Sequence, residues 1–343
     1  MTRRELLLAT VPAAALRAQT GWQAGIARAV ITPRESIWLA GYGDRNKPSE
    51  GIRQDLQAKA LALRDGTGAV SVLVTADLLG FTGAMSEAVA ERVRKQHGIP
   101  RARILLNASH THSGPVTGQV HRGTYVYSAE QRDTIERYTA WLLARLADMI
   151  GLALADLGPA TLDFGQGSAG FAVNRRRVVM GRNLPGPVEH DVPVLAVRAP
   201  GGALRAIVFG YACHATVLND YQINADWPGY AQEALEAAHP GATALFVAGC
   251  GADANPLPRR SVELARTYGE ILATAVGQTL AQKMAPVAGP LRAALSTADV
   301  PLAPPPSREE FQRRAAGADS AVRRHAQLML ERYDRLPSAY PYT

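Results

Sequence analysis

Cysteine is scarce in this sequence: Cys213 and Cys250 are its only two. They can form at most one internal disulfide, so even in an oxidising compartment a disulfide framework does not hold the fold together. Basic residues are never massed. No block of five or more Lys/Arg occurs, and the longest run, Arg175 to Arg177, has no aromatic ladder beside it on which bases could stack. No nucleic acid partner is expected. Apolar runs are short too. None approaches the roughly 18 uninterrupted residues that span a bilayer, so no transmembrane segment is expected, although transient contact with a membrane surface stays open.

What is present is the material of a globular protein. Of 343 residues 47% are hydrophobic and 20% charged, enough for a sizeable core and for one large domain or two ordinary ones. The formal charge of +7 is mild, and Arg3, Arg4 and Arg17 against Glu5 place part of it in the first 18 residues. Those residues also carry an apolar stretch from Leu6 to Leu16 and a small-residue exit near Ala18. They read as a secretory signal, with the paired arginines of the twin-arginine route, and imply a periplasmic or secreted protein.

Strand-like and helix-like segments then alternate. Gln23 to Thr32 is a short β-like entry, and Leu56 to Asp77 reads as a hairpin turned by Asp65-Gly66-Thr67-Gly68. Met85 to His97 is helical and stopped by Gly98. Ile104 to Ala108 reads as a buried strand, and Glu130 to Ala155 has the strongest helical period. Strands are predicted over Val192 to Val197, Leu204 to Cys213 and Ala244 to Ala248, with helices over Pro228 to Ala238 and Ser261 to Lys283. This alternation predicts an α/β fold, a mixed β-sheet layered with helices, and no repeat of fixed period is visible. Residues 19–300 read as one domain. Residues 301–343 read as a Pro-rich linker and a charged helical hairpin that stops at Tyr340-Pro341-Tyr342-Thr343.

Chemistry concentrates where apolar strands run out into polar loops. Asn107-Ala108-Ser109-His110-Thr111-His112-Ser113-Gly114-Pro115 places two imidazoles two residues apart, on one side of an extended chain. A second strand ends in Cys213-His214, and a third loop reads Gly249-Cys250-Gly251-Ala252-Asp253-Ala254-Asn255-Pro256. Imidazoles from two strand ends can meet at one edge of an α/β sheet, but they are only half of a zinc shell.

Taken together, Asn107 to Pro115, Ala212 to Thr216, Asn224-Ala225-Asp226-Trp227-Pro228-Gly229-Tyr230 and Gly249 to Pro256 resemble, in order and spacing, the neutral/alkaline non-lysosomal ceramidase family. Ala24 to Pro33 and Gly41-Tyr42-Gly43 match its N-terminal pattern, so the resemblance covers roughly residues 22–300. It implies a zinc-dependent amidohydrolase that cleaves the N-acyl bond of ceramide or a related lipid-like amide. His110 and His214 would ligate Zn2+, His112 would handle the proton of the attacking water or leaving amine, and Arg175 would contact the substrate carbonyl.

Two departures bear on that reading. Asn255 stands where the family has a serine proposed as nucleophile, and an amide cannot accept an acyl group. The family also completes its metal shell with a Glu and a Tyr from beyond the Tyr-Pro-Tyr run, where this sequence stops; Asp77, Asp226 and Asp253 are the oxygen donors that could substitute. The alternative is a catalytically impaired exported binding protein on the same scaffold. A cysteine hydrolase using Cys213 or Cys250 beside His214 is a further rival, although neither thiol sits in a nucleophile elbow.

Overall fold

A computed structural model describes residues 21–118, 125, 127–179, 182–183 and 185–342. The expected leader lies outside them. The first half of the chain runs β1 (Trp22–Val30), β2 (Gln57–Arg64), β3 (Val70–Ala76), α1 (Gly83–His97), β4 (Ile104–Ala108) and α2 (Ala129–Ala155). The second runs β5 (Gly158–Ser168), a short β6 (Ala172–Asn174), β7 (Asp191–Arg198), β8 (Leu204–Tyr211), α3 (Asp226–Ala238), β9 (Thr243–Ala248), a short β10 (Ala254–Pro256) and α4 (Val262–Ala281). A two-residue β11 (Ala285–Pro286) follows and pairs with β5.

Eight of the nine strands of the main sheet lie in the order β9-β8-β7-β5-β1-β2-β3-β4. The order reads symmetrically outward from the antiparallel β1–β5 contact. In each half two antiparallel pairings are followed by a parallel one across a helix, β3-α1-β4 in the first and β8-α3-β9 in the second. The fold is thus an internal repeat of topology, which no fixed sequence period announces.

Alternation along the strands explains the layering. On β2 and β3, Ala58, Ala60, Ala62, Val72, Val74 and Ala76 face α1 and α2, while Leu61 faces the other way. On β7, β8 and β9, Val192, Val194, Ile207, Phe209, Ala244 and Phe246 face α3 and α4. The remaining face holds a third cluster that includes Trp22, Leu61, Leu162, Val197 and Leu245, drawn from both halves. That is only feasible because the sheet coils until its two edges meet. On one edge strand Asn107 accepts from Ala248 N (2.9 Å) and donates to Ala248 O (3.2 Å) on the other, and Lys59 Nζ on β2 donates to Ala244 O of β9 at 2.8 Å.

Several expectations change in detail. The β-like entry is a nine-residue strand at the centre of the sheet. Ile104–Ala108 is an edge strand with Ile104 buried but Leu105 62% exposed. Gly158–Ser168, which has no strand-like pattern, is the longest strand described. Helix α2 is long and apolar enough to cross a bilayer on length and composition alone. Ile135, Tyr138, Leu142, Leu146, Met149 and Ile150 bury its apolar side in the first core, so it is a core helix. The charged stretch after residue 307 forms two helices, Arg308–Ala315 and Ser320–Glu331, closed by the paired strands Ala298–Pro301 and Ala339–Tyr342.

Candidate metal centre

The coiled sheet brings together the C-terminal ends of β4 and β8, and each end delivers an imidazole. Past β4 the chain turns through His110 in the left-handed region (φ 60°), and His110 Nδ1 donates to Leu79 O at 2.7 Å. Past β8, His214 is anchored through its backbone N on Ala254 O (3.0 Å), and its Nδ1 donates to Gly251 O at 2.8 Å. The two loops are stitched by a bridge between Thr111 and Ala215 and by His112 N donating to Ala215 O at 3.2 Å.

A carbonyl can only accept, so both Nδ1 atoms carry the proton and both Nε2 lone pairs stay available. The carbonyl partners fix tautomer and ring plane, as outer partners of ligating histidines do. His112 Nε2 comes to 3.4 Å from His110 Nε2, and one ring nitrogen from each of His110, His112 and His214 lies within 4.8 Å of the others. Burial, first of all, holds the His214 imidazole below its usual range and so favours the neutral form that a metal needs. Three converging imidazole nitrogens, with outer carbonyl partners in place for His110 and His214, fit a bound metal ion.

The surrounding chain holds this geometry. Gly41 (φ 102°) runs so close to His112 that a Cβ there would lie 2.5 Å from the imidazole Cγ. The Tyr42 ring meets His112 edge-on at 4.9 Å, and its hydroxyl donates to Leu218 O (2.9 Å) while accepting from Arg260 Nη1 (3.1 Å). Trp227 Nε1 donates to His214 O at 2.9 Å. The Asp226 carboxylate accepts from Val217 N, Leu218 N and Trp227 N, clamping the loop that follows His214. Among the described residues, the non-glycines at positive φ are His110, Asp226 and Arg260, and all three belong to this neighbourhood. Such backbone conformations persist only where surrounding structure over-determines them.

Arg175 joins His110 and His214 in the wall of a cavity of about 320 Å³, with its Nε on Ala252 O (2.9 Å) and its backbone N on Asp253 O (2.7 Å). Asn255 sits on β10, buried, where its Oδ1 accepts from Thr216 Oγ1 at 3.4 Å; it does not line that cavity. Asp226 is spent on backbone amides, and among the described residues the metal-competent group contains no carboxylate. Asp77 points elsewhere as well, accepting from Gln57 N at 2.9 Å. The oxygen-ligand roles open to these aspartates are not supported. Both cysteines are free. Burial pushes the Cys213 thiol up, which opposes a nucleophilic role, and Cys250 is exposed at the cavity.

Asp77 offers a test of the surrounding core. Burial raises its carboxyl from 3.8 to about 6, so the native state keeps a proton that the unfolded chain releases between those values. Its stabilising contribution is full below pH 3.8 and is lost as pH rises through about 6. Relative to Asp77→Asn, the wild type should therefore lose about 2–3 kcal/mol between pH 4 and 7, read from urea unfolding of both proteins. A pH-independent difference would show that Asp77 titrates normally in the fold.

Comparison with known proteins settles the family. The sequence model of the neutral/alkaline non-lysosomal ceramidase N-terminal region matches residues 22–256. The chain belongs to this family. It is 26% identical over 207 residues to the neutral ceramidase of Mycobacterium tuberculosis (strain ATCC 25618 / H37Rv), a match covering 56% of this chain and 32% of that protein. The crystal structure of the neutral ceramidase from Pseudomonas aeruginosa superposes with a TM-score of 0.69 at 22% identity, over 86% of this chain and 50% of that one. A ceramidase complexed with C2 gives a TM-score of 0.66 at 20% identity, over 82% and 46%. These likenesses establish the α/β ceramidase-type fold, and the chain spans about a third to a half of the length of these relatives.

The strand-end motifs name His110, His112 and His214, the family resemblance names Arg175, and the fold brings all four to one place. The resemblance matched Tyr42 and Trp227 as motif letters without giving either a role. The signal was their position inside the motifs; their function needed the loops closed around the histidines.

Proposed function

We propose that this chain carries the histidine centre of a zinc-dependent amidohydrolase that cleaves the N-acyl bond of ceramide or a related lipid-like amide. The observation that carries this reading is the convergence of the three imidazoles, two of which, His110 and His214, line a cavity together with Arg175. His110 and His214 would hold the metal through Nε2, each kept in register by its main-chain carbonyl. When bound, zinc supplies a Lewis acid for the amide carbonyl and lowers the pKa of water. His112, seated against Gly41 and Tyr42, would take a proton from water and return it to the departing amine nitrogen as the C–N bond breaks. The products are a fatty acid and a free amine. Arg175 presents a planar donor set to the carbonyl oxygen as negative charge gathers on it. Asn255, buried on Thr216, is not placed to accept an acyl group.

The purified chain loaded with zinc should hydrolyse an N-acyl sphingosine in mixed micelles only weakly, and more strongly when joined to the Glu- and Tyr-bearing segment that the family's metal shell draws on; a chelator should abolish the activity and zinc restore it. His112→Ala should cost about 100-fold or more in kcat, the scale of a lost proton-transfer group, while Asn255→Ala stays within about tenfold. Tight zinc with no turnover would overturn the hydrolase reading in favour of the exported binding protein. Equal and total loss in both variants would return a direct role to Asn255.

A further inference from the structure

Guanidinium groups crowd this centre with little negative charge to balance them. Arg175 forms part of the cavity wall. Arg260 lies 5.4 Å from the centre of the Tyr42 ring, whose edge contact is His112, and its Nη1 donates to the Tyr42 hydroxyl and to Thr216 O. Arg45, buried, lies 5.2 Å from the same ring, with its Nη atoms on the main-chain carbonyls of Ala40 and Asp220. Arg176 and Arg259 are the chain neighbours of Arg175 and Arg260, and after burial their charges further lower the proton affinity of Arg175.

Among the described residues, none of these five arginines has an ion pair within 4.0 Å. The neighbouring carboxylates offset the excess only in part: Asp226 acts on Arg259 and Arg260, Asp220 acts on Arg45 but also pairs with Arg53, and Asp253 acts on Arg175, three carboxylates against five guanidiniums. Unpaired guanidiniums beside a concave site draw anions, and their fork geometry suits carboxylates in particular. A substrate with only hydroxyl groups leaves that field unused.

We propose that the site selects amides carrying a carboxylate, of the N-acyl amino acid kind, over neutral lipid amides of the same size. This rests on the amidohydrolase reading for catalysis but not for binding. The test compares N-dodecanoylglycine with N-dodecanoylglycinamide, which share the scissile amide and differ in charge. For each, affinity is measured by calorimetry and hydrolysis by product release, using the zinc-loaded chain.

The acid should bind about tenfold more tightly at low salt, the effect of one charge-assisted contact. The preference should shrink toward parity in about 0.5 M NaCl and in Arg176→Gln/Arg259→Gln. Equal binding of the two ligands overturns the proposal. So does a preference that survives both salt and the double substitution, since it would not then come from the guanidinium field. If the acid is preferred but neither compound is cleaved, anion selection stands and the amidohydrolase reading falls. If both are cleaved without preference, the reverse holds.

Discussion

Removing either carbonyl-anchored imidazole should release the metal. His214→Ala and His110→Ala are each expected to weaken zinc binding by at least about 100-fold, since loss of an outer partner alone costs about 10- to 100-fold. His214 is the more sensitive position. It is 7% exposed, its ring proton is committed to Gly251 O, and its backbone on both sides is tied, through N to Ala254 O and through O to Trp227 Nε1. A neighbouring side chain therefore has little freedom to move in and replace it.

The measurement is zinc affinity by competition with a chromogenic chelator, with far-UV circular dichroism to show that the variants fold. His112→Ala supplies the comparison. If His112 chiefly moves protons, its loss should reduce turnover far more than zinc affinity, whereas equal loss of zinc in all three variants would make it a third ligand. Unchanged zinc content in His110→Ala and His214→Ala would remove the metal centre from the account.

The hairpin of β2 and β3 was legible because Leu61 and Leu63 alternate with Ala60 and Ala62. Its turn was legible too, since Asp65 stands where its side chain can accept from Thr67 N and Ala69 N. Helix α2 was legible from its period; the capping box of Ser128 and Gln131 that starts it emerges only in the structure. Strand β5 was hidden by the feature that lets it pack. Gly165 and Gly167 break any strand pattern, yet a Cβ at either would lie 2.7 or 2.6 Å from Thr279 on α4, so the helix needs them bare.

The site divides along the same line. Strand-terminal histidines are visible as local pattern, and so His110, His112 and His214 could be named. The coil of the sheet depends on contacts between residues as distant as Asn107 and Ala248, and no local pattern encodes it. Asp226 shows the limit most clearly. As a letter it is a plausible metal ligand. Only its left-handed backbone (φ 57°) and its three amide partners show that it shapes the His214 loop instead.

Trp227→Ala is expected to be the most damaging single change outside the histidines. The indole is fully buried, with ring centres 5.2 Å from Phe171, 5.1 Å from Phe246 and 6.0 Å from Tyr211. Truncation there should cost about 3–5 kcal/mol, a large share of the roughly 5–15 kcal/mol that keeps a typical domain folded. Trp227→Phe separates packing from positioning, because it keeps most of the ring but removes the donor to His214 O. An unpaired buried carbonyl costs about 1–3 kcal/mol, so this variant should unfold at lower urea yet remain native at 25 °C. Its zinc affinity should fall about tenfold, since the strand end that aims His214 loses one of its ties. Turnover should fall with it while the KM for N-acyl substrate holds, because no substrate contact is touched. A Trp227→Phe protein that is destabilised but binds zinc like the wild type would assign Trp227 to the core alone, and the aim of His214 would then rest on Gly251 and Ala254.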